Sequence, residues 1–257
     1  MLRLIFGHFD RKGLRWYLAA QTLVFWGLIL FCLQLIPDEN HFGFASHPFS
    51  YLGGFGPENN PRWWRIFSGA MIFWAVALIP VVFYLRRRFA VVSKWGSLSG
   101  AAWLLLGCAG IFLVGVIPTG HAQFWGTMSY VGAHRYSSVP IMMGFGFGIF
   151  WHELMLFADR FKDQRLRGSG YWKYVALYAA WWGVVFTGIY FLVRWVFVYE
   201  RMKREAAVTG RFLAGSWTEA LNTIYSIPLW ENILIISLFV FMTALPLMVS
   251  MADREEA

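Results

Sequence analysis

Apolar runs about twenty residues long, separated by short polar stretches, set the pattern of this chain. Six of them can cross about 30 Å of hydrocarbon at a helical rise of 1.5 Å per residue. They cover residues 16–36, 66–85, 96–117, 136–157, 172–198 and 229–251. Stretches such as AVALIPVVFYL are apolar throughout, without the alternating polarity of a transmembrane strand, which excludes a barrel. The pattern predicts an all-α integral membrane protein, a six-helix bundle forming a single membrane domain over residues 1–257. The first run is too long for a signal peptide and no A-x-A-like cleavage site follows it, so a retained N-terminus is expected.

Composition agrees with the pattern. The chain is 58% hydrophobic and 20% aromatic but only 14% charged, with mean hydropathy +0.52. That balance excludes disordered, collagen-like, disulfide-stapled secreted and soluble enzyme classes. The net charge of +8 would suggest nucleic acid in a soluble protein. In this chain the charges sort by side of the bilayer instead, and no nucleic-acid partner is expected. Fourteen of the 22 Lys and Arg residues fall in the N-terminal stretch, the 86–95 and 158–173 connections and the C-terminus. Seven fall on the opposite side, most of them in one long loop, and Arg194 lies within the fifth span. Both termini are therefore expected to be cytoplasmic.

The outer connections are long and hold most of the Gly, Pro, His and Trp outside the spans. Residues 37–65 are too long for a turn and too aromatic for a linker, and are expected to fold back over the bundle. Residues 199–228 begin with the charged stretch YERMKREAAVTGRF and continue into SWTEALNTIYSIPLW, whose spacing predicts an interfacial helix.

Of six histidines, His41, His47, His121 and His134 fall on the outer side, near Asp38, Glu39 and Glu58. Imidazole and carboxylate side chains together could hold zinc or serve as a general acid and base, so the four histidines are candidate metal ligands. None stands at i, i+3 or i, i+4 to another, and such a site would have to be assembled from separate loops. The plainer alternative is hydrogen bonding to loop backbone and lipid headgroups. His134 and His152 lie about 27 Å apart along one helix and cannot share a haem, though a haem held by His134 and a loop histidine is conceivable. No cofactor is assigned.

Cys32 and Cys108 lie within hydrocarbon and read as buried small apolar residues. The tryptophans cluster near span ends, as in an aromatic belt. Gly96 with Gly100, and Gly144 with Gly148, have the spacing that allows close helix contact. Arg194 is an ionisable group inside a span, about four residues from its outer end, suited to surface anchoring or to a lipid phosphate. Motifs of metalloproteases, covalent haem attachment, nucleophile-elbow hydrolases and P-loop NTPases do not occur.

PFSYLGGFGPENNP before the second span, GVIP closing the third, GAHRYSS at the fourth and PLWENI opening the last together resemble the domain-of-unknown-function-998 family. They are also similar, more distantly, to the Frag/DRAM/Sfk group of six-span membrane proteins. The residues matching that pattern are Pro48, Ser50, Gly53, Pro57, Glu58, Pro118 and His134. The resemblance implies an outer-leaflet lipid or lipid-like partner and supplies no reaction.

Three functional expectations follow. The first is an outer-facing pocket capped by residues 37–65 that binds a lipid headgroup or other amphiphile. In it, Arg135 and Arg194 would neutralise phosphate, and Glu58 and His134 would orient a hydroxyl or relay a proton. The second is a non-catalytic subunit of a larger membrane complex of redox or energy-converting type, partnered by other membrane subunits. The third is a metal-dependent lipid hydrolase or transferase using His41, His47, His121 and His134. A bacterial inner membrane is the expected location.

Overall fold

The computed structural model describes residues 2–37, 41–57, 59–161, 171–209 and 226–251. A short helix α1 (Leu2–Ile5) precedes the six long helices α2 (Arg11–Gln34), α3 (Trp64–Phe89), α4 (Lys94–Val116), α5 (Tyr130–Arg160), α6 (Tyr171–Thr209) and α7 (Ile227–Met251). All six are long and apolar enough to span a bilayer, and the protein is an integral membrane protein. Helix is what the sequence dictates here, because at bilayer depth every backbone N–H and C=O must be satisfied without water.

Several helices outrun their apolar segments for local reasons. α2 starts at Arg11, where the Asp10 carboxylate accepts the Gly13 N–H at 2.8 Å. α3 continues to Phe89 with Arg86, Arg87 and Arg88 in its last turn, where cations complement the helix dipole. α5 begins six residues before its expected span, as Ser129 caps it by accepting the Gly132 N–H at 3.2 Å. The largest departure is α6, which runs to Thr209, about 16 Å beyond Val198. The charged stretch 199–207 is composed of good helix formers, so it prolongs the span rather than opening a loop. The interfacial helix expected after it lies mostly outside the described residues, and 227–230 form the first turn of α7.

α3 is the central helix. Of its most apolar stretch, 61% is buried inside the protein, against 17% for α6, which faces mostly outward. On one side, α3 meets α2 and α7 through Phe25, Trp74 and Phe239, with ring centroids 4.9–5.5 Å apart. The Tyr17 hydroxyl donates to the Ala77 carbonyl at 2.8 Å, adding a polar tie between α2 and α3. On the other side α4 and α5 approach closely over glycines. A methyl group on Gly144 would stand 2.1 Å from the Gly107 nitrogen, and one on Gly148 2.7 Å from Leu104. Of the two glycine pairs marked in the sequence, Gly144 and Gly148 thus sit in the seam, and Gly100 faces the His152 ring.

Both cysteines are buried and free. Trp16, Trp95 and Trp172 are exposed at the starts of α2, α4 and α6, a belt on the basic face. On the opposite face, the connection after α4 forms a small antiparallel hairpin, β1 (Gln123–Trp125) with β2 (Met128–Ser129), turning at Gly126 with φ +57°.

The glycine seam gives a direct test. Gly144→Ala forces α4 and α5 apart and is expected to destabilise the protein by about 1–3 kcal/mol. Gly146→Ala, where an added methyl meets nothing within 4 Å, is expected to be neutral or mildly stabilising. Thermal unfolding of both variants in one mild detergent separates them.

Candidate functional site on the outer face

Of the loop 37–65, the described residues 41–57 and 59–65 fold back over the helix ends. A 3-10 turn at Phe49–Gly53 buries Phe49 and Leu52 against the bundle. Its backbone then runs beside the exit of α4. Phe55 N–H donates to the Thr119 carbonyl at 3.0 Å, Thr119 N–H to Gly53 at 3.3 Å, and the Thr119 hydroxyl to Ser50 at 3.2 Å. Asn60 is fully buried and donates from Nδ2 to the Leu52 carbonyl and to Cys32 Sγ, holding the loop to α2.

A further attachment is to α7. Asn232, fully buried in its second turn, donates from one amide nitrogen to the carbonyls of Phe44 at 2.8 Å and His47 at 2.9 Å. Ser226, just before the helix, donates its hydroxyl to the carbonyl of Ala45. Three carbonyls of the tight turn 43–47 are thereby satisfied by one helix start. The Asn232 Oδ1 atom has no hydrogen-bond partner among the described residues.

Beside Asn232, the Glu231 carboxyl accepts a hydrogen bond from the Ser50 hydroxyl and interacts electrostatically with Arg135 of α5. Loop, fifth helix and last helix therefore meet at one polar junction, formed by Ser50, Arg135 and Glu231. Arg135 is exposed, so its guanidinium can reach both Glu231 and an outside anion.

The other residues marked in the sequence are dispersed. His134 is buried, and its Nδ1–H donates to the Ile117 carbonyl at 2.6 Å. That carbonyl ends α4 beside Pro118 and would otherwise lack a partner. His134 thus points inward while its neighbour Arg135 serves the junction. His47 is half-buried, with Nδ1 accepting the Gly43 N–H at 3.0 Å and its ring 4.3 Å from that of Tyr51. His41 and His121 are exposed. Among the described residues no three His, Cys, Asp or Glu side chains are grouped so as to hold a metal ion. Arg194 is exposed and, because α6 continues to Thr209, lies fifteen residues before the helix end rather than the expected four; it stands one turn after Phe191, whose ring stacks on Trp230 at 4.8 Å. Glu58, Asp38 and Glu39 lie outside the described residues.

Glu231 and Asn232 are absent from the candidates chosen on sequence. A signal for them exists: a carboxylate and a carboxamide stand together just inside the last apolar run, where unpaired polar groups are costly. Deeper in the bundle, Glu153 accepts the Trp182 indole N–H at 2.6 Å, joining α5 to α6. His152 is fully buried against Phe89, with Nδ1–H donating to Gly148 at 2.6 Å.

Burial disfavours the imidazolium of His47 and pushes its pKa below the ordinary 6.5. The neutral form is the one that fits the folded loop, so this contribution to stability is lost as pH falls below about 6.5. The loop is expected to exchange its amide hydrogens faster at pH 5 than at pH 7 after correction for intrinsic rates. In His47→Gln that excess should disappear; if it persists unchanged, His47 is not the group responsible.

Compared with models of protein families, with curated proteins and with solved structures, the chain gives no match.

Proposed function

We propose that this integral membrane protein binds the headgroup of a lipid or other amphiphile at an outer-facing pocket bounded by residues 37–65, α5 and α7. The observation that carries this reading is the junction of Ser50, Arg135 and Glu231 under a loop that Asn232 and Ser226 fasten to α7. An exposed guanidinium beside a hydrogen-bonded carboxyl suits a headgroup bearing both phosphate and a donor. Arg135 would take the anion while Glu231 and Ser50 orient a hydroxyl or amine. Arg194, on the outer part of α6, would add a second cation from the lipid side. His134, tied to Ile117, sets the α4–α5 mouth of the pocket. The resemblance of PFSYLGGFGPENNP and GAHRYSS to lipid-linked six-span proteins supports the same reading, with a bacterial inner membrane as its setting.

Native mass spectrometry of the full chain in mild detergent tests this. The wild type is expected to retain one amphiphile. In Arg135→Ala combined with Glu231→Gln, its occupancy should fall about tenfold, the loss expected when a charge-assisted contact worth about 1.4 kcal/mol or more is removed. Occupancy unchanged in the double variant contradicts the proposal.

One feature favours the second reading, a subunit of a larger membrane complex. The hairpin 123–129, outside the spans, exposes Phe124, Trp125 and Met128, and Trp125 is 83% exposed. The same spectra distinguish this reading, since a protein partner at fixed stoichiometry would make the hairpin an interface.

A further inference from the structure

Glu153 is a carboxylate inside a span and has no part in the outer junction. It stands seven residues before Arg160, where α5 ends on the basic side, so about 10 Å of helix separates it from that end. Its partner Trp182 lies about 15 Å along α6 from Trp172 of the aromatic belt, close to the middle of a hydrocarbon core about 30 Å thick. The neighbouring His152 turns the other way, toward Gly100 of α4 and Phe89 of α3. Glu153 faces α6.

The Trp182 indole N–H takes one of the two carboxylate oxygens, Oε2. A glutamine would accept the same bond without a charge, and a charge at this depth is costly, so the bond alone does not account for a carboxylate. Among the described residues no cation pairs with Glu153, whose other polar neighbour is Tyr178, through an electrostatic interaction. The Tyr178 hydroxyl, one turn before Trp182, is buried and has no hydrogen-bond partner among the described residues. As a phenol it adds no balancing charge. Arg160 is occupied by the rings of Tyr171 and Trp172, at 4.6 and 5.9 Å from their centroids. Lys173 and Arg194 stand nine and twelve residues from Trp182, about 13 and 18 Å along α6.

The surroundings of this charge are aromatic and open to the bilayer. Glu153 is itself half-buried, and α6 packs mainly on α7 rather than on α5. Phe150 of α5 is exposed, with its ring 6.3 Å from that of Trp182, and the exposed Phe186 stacks on the other side of α6's turn, 5.6 Å from Trp182. A metal ion requires several oxygen ligands, which one carboxylate does not supply. An organic cation brings its own apolar surface, and aromatic rings attract its charge. We propose that Glu153, with the rings of Phe150, Trp182 and Phe186, binds a lipophilic organic cation that arrives from the bilayer between α5 and α6. The carboxylate supplies the opposite charge, the Trp182 bond fixes its position, and Oε1 is left for the ligand. This site is separate from the outer junction and does not rest on the headgroup reading.

The test is equilibrium dialysis of the full chain in mild detergent against tetraphenylphosphonium, with tetraphenylborate as a probe of the same shape and opposite charge. The wild type is expected to bind one tetraphenylphosphonium per chain, saturably, and to show no saturable binding of tetraphenylborate. Glu153→Gln keeps an acceptor for the Trp182 indole, so its melting temperature should stay near wild type while its affinity for tetraphenylphosphonium falls about tenfold or more. Glu153→Asp keeps the charge and guards against misfolding as the cause; it should bind more tightly than Glu153→Gln. An excess of sodium chloride should leave binding in place, because a buried pair is screened little. Displacement by sodium would make the occupant a small inorganic cation and overturn the assignment. Absence of saturable tetraphenylphosphonium binding in the wild type, equal binding of tetraphenylborate, or wild-type affinity in Glu153→Gln would overturn it as well.

Discussion

A polar group at bilayer depth has no water to bond with, and most of this architecture answers that constraint. It makes the six spans helical, and it also decides where the side chains with polar atoms go. Tyr17 finds Ala77, His134 finds Ile117, His152 finds Gly148 and Glu153 finds Trp182. Each of these bonds satisfies a buried or half-buried group and at the same time ties a helix or a helix end. The constraint acts in both directions, since the free carbonyls of residues 44, 45 and 47 need donors as much as Asn232 and Ser226 need acceptors. The outer loop is held down by that mutual requirement together with Phe49 and Leu52, which it buries in the bundle core.

Because the loop is held, the outer junction exists. Ser50 lies on the 3-10 turn, Arg135 on the second turn of α5 and Glu231 on the second turn of α7. The adjacent Asn232, together with Thr119 and the buried 3-10 turn, keeps Ser50 beside Glu231. The basic face obeys a related logic: a turn at Gly7 with φ +68° and the Arg87 bond to the Gly7 carbonyl draw the N-terminal segment against α3.

The spans were legible because hydrocarbon thickness sets their length and composition alone reveals it. Their ends were less so, since Asp10 and Ser129 act through backbone caps and the charged stretch after Val198 follows helix propensity rather than hydropathy. Of the outer junction, sequence picked out Arg135 on charge and Ser50 on resemblance. It missed Glu231, because the partnership of α7 with residues 44–50 spans more than 180 positions, as the 188-residue separation of Asn232 from Phe44 illustrates. No local period encodes such a pairing. His134 was chosen for its chemistry and on resemblance, and of the two readings weighed for the outer histidines its bond to the Ile117 carbonyl matches hydrogen bonding to backbone.

The central claim is that buried donors on α7 hold the outer loop closed over the bundle. Hydrogen exchange of the full chain in lipid nanodiscs measures this most directly, following the amides of residues 46–55. The account predicts protection of the Ser46, His47, Tyr51 and Gly54 amides, which donate within the folded loop, and of the Phe55 amide, which donates to Thr119, and loss of that protection in Asn232→Ala. Exchange of this segment at the rate of an unstructured peptide in the wild type would contradict it.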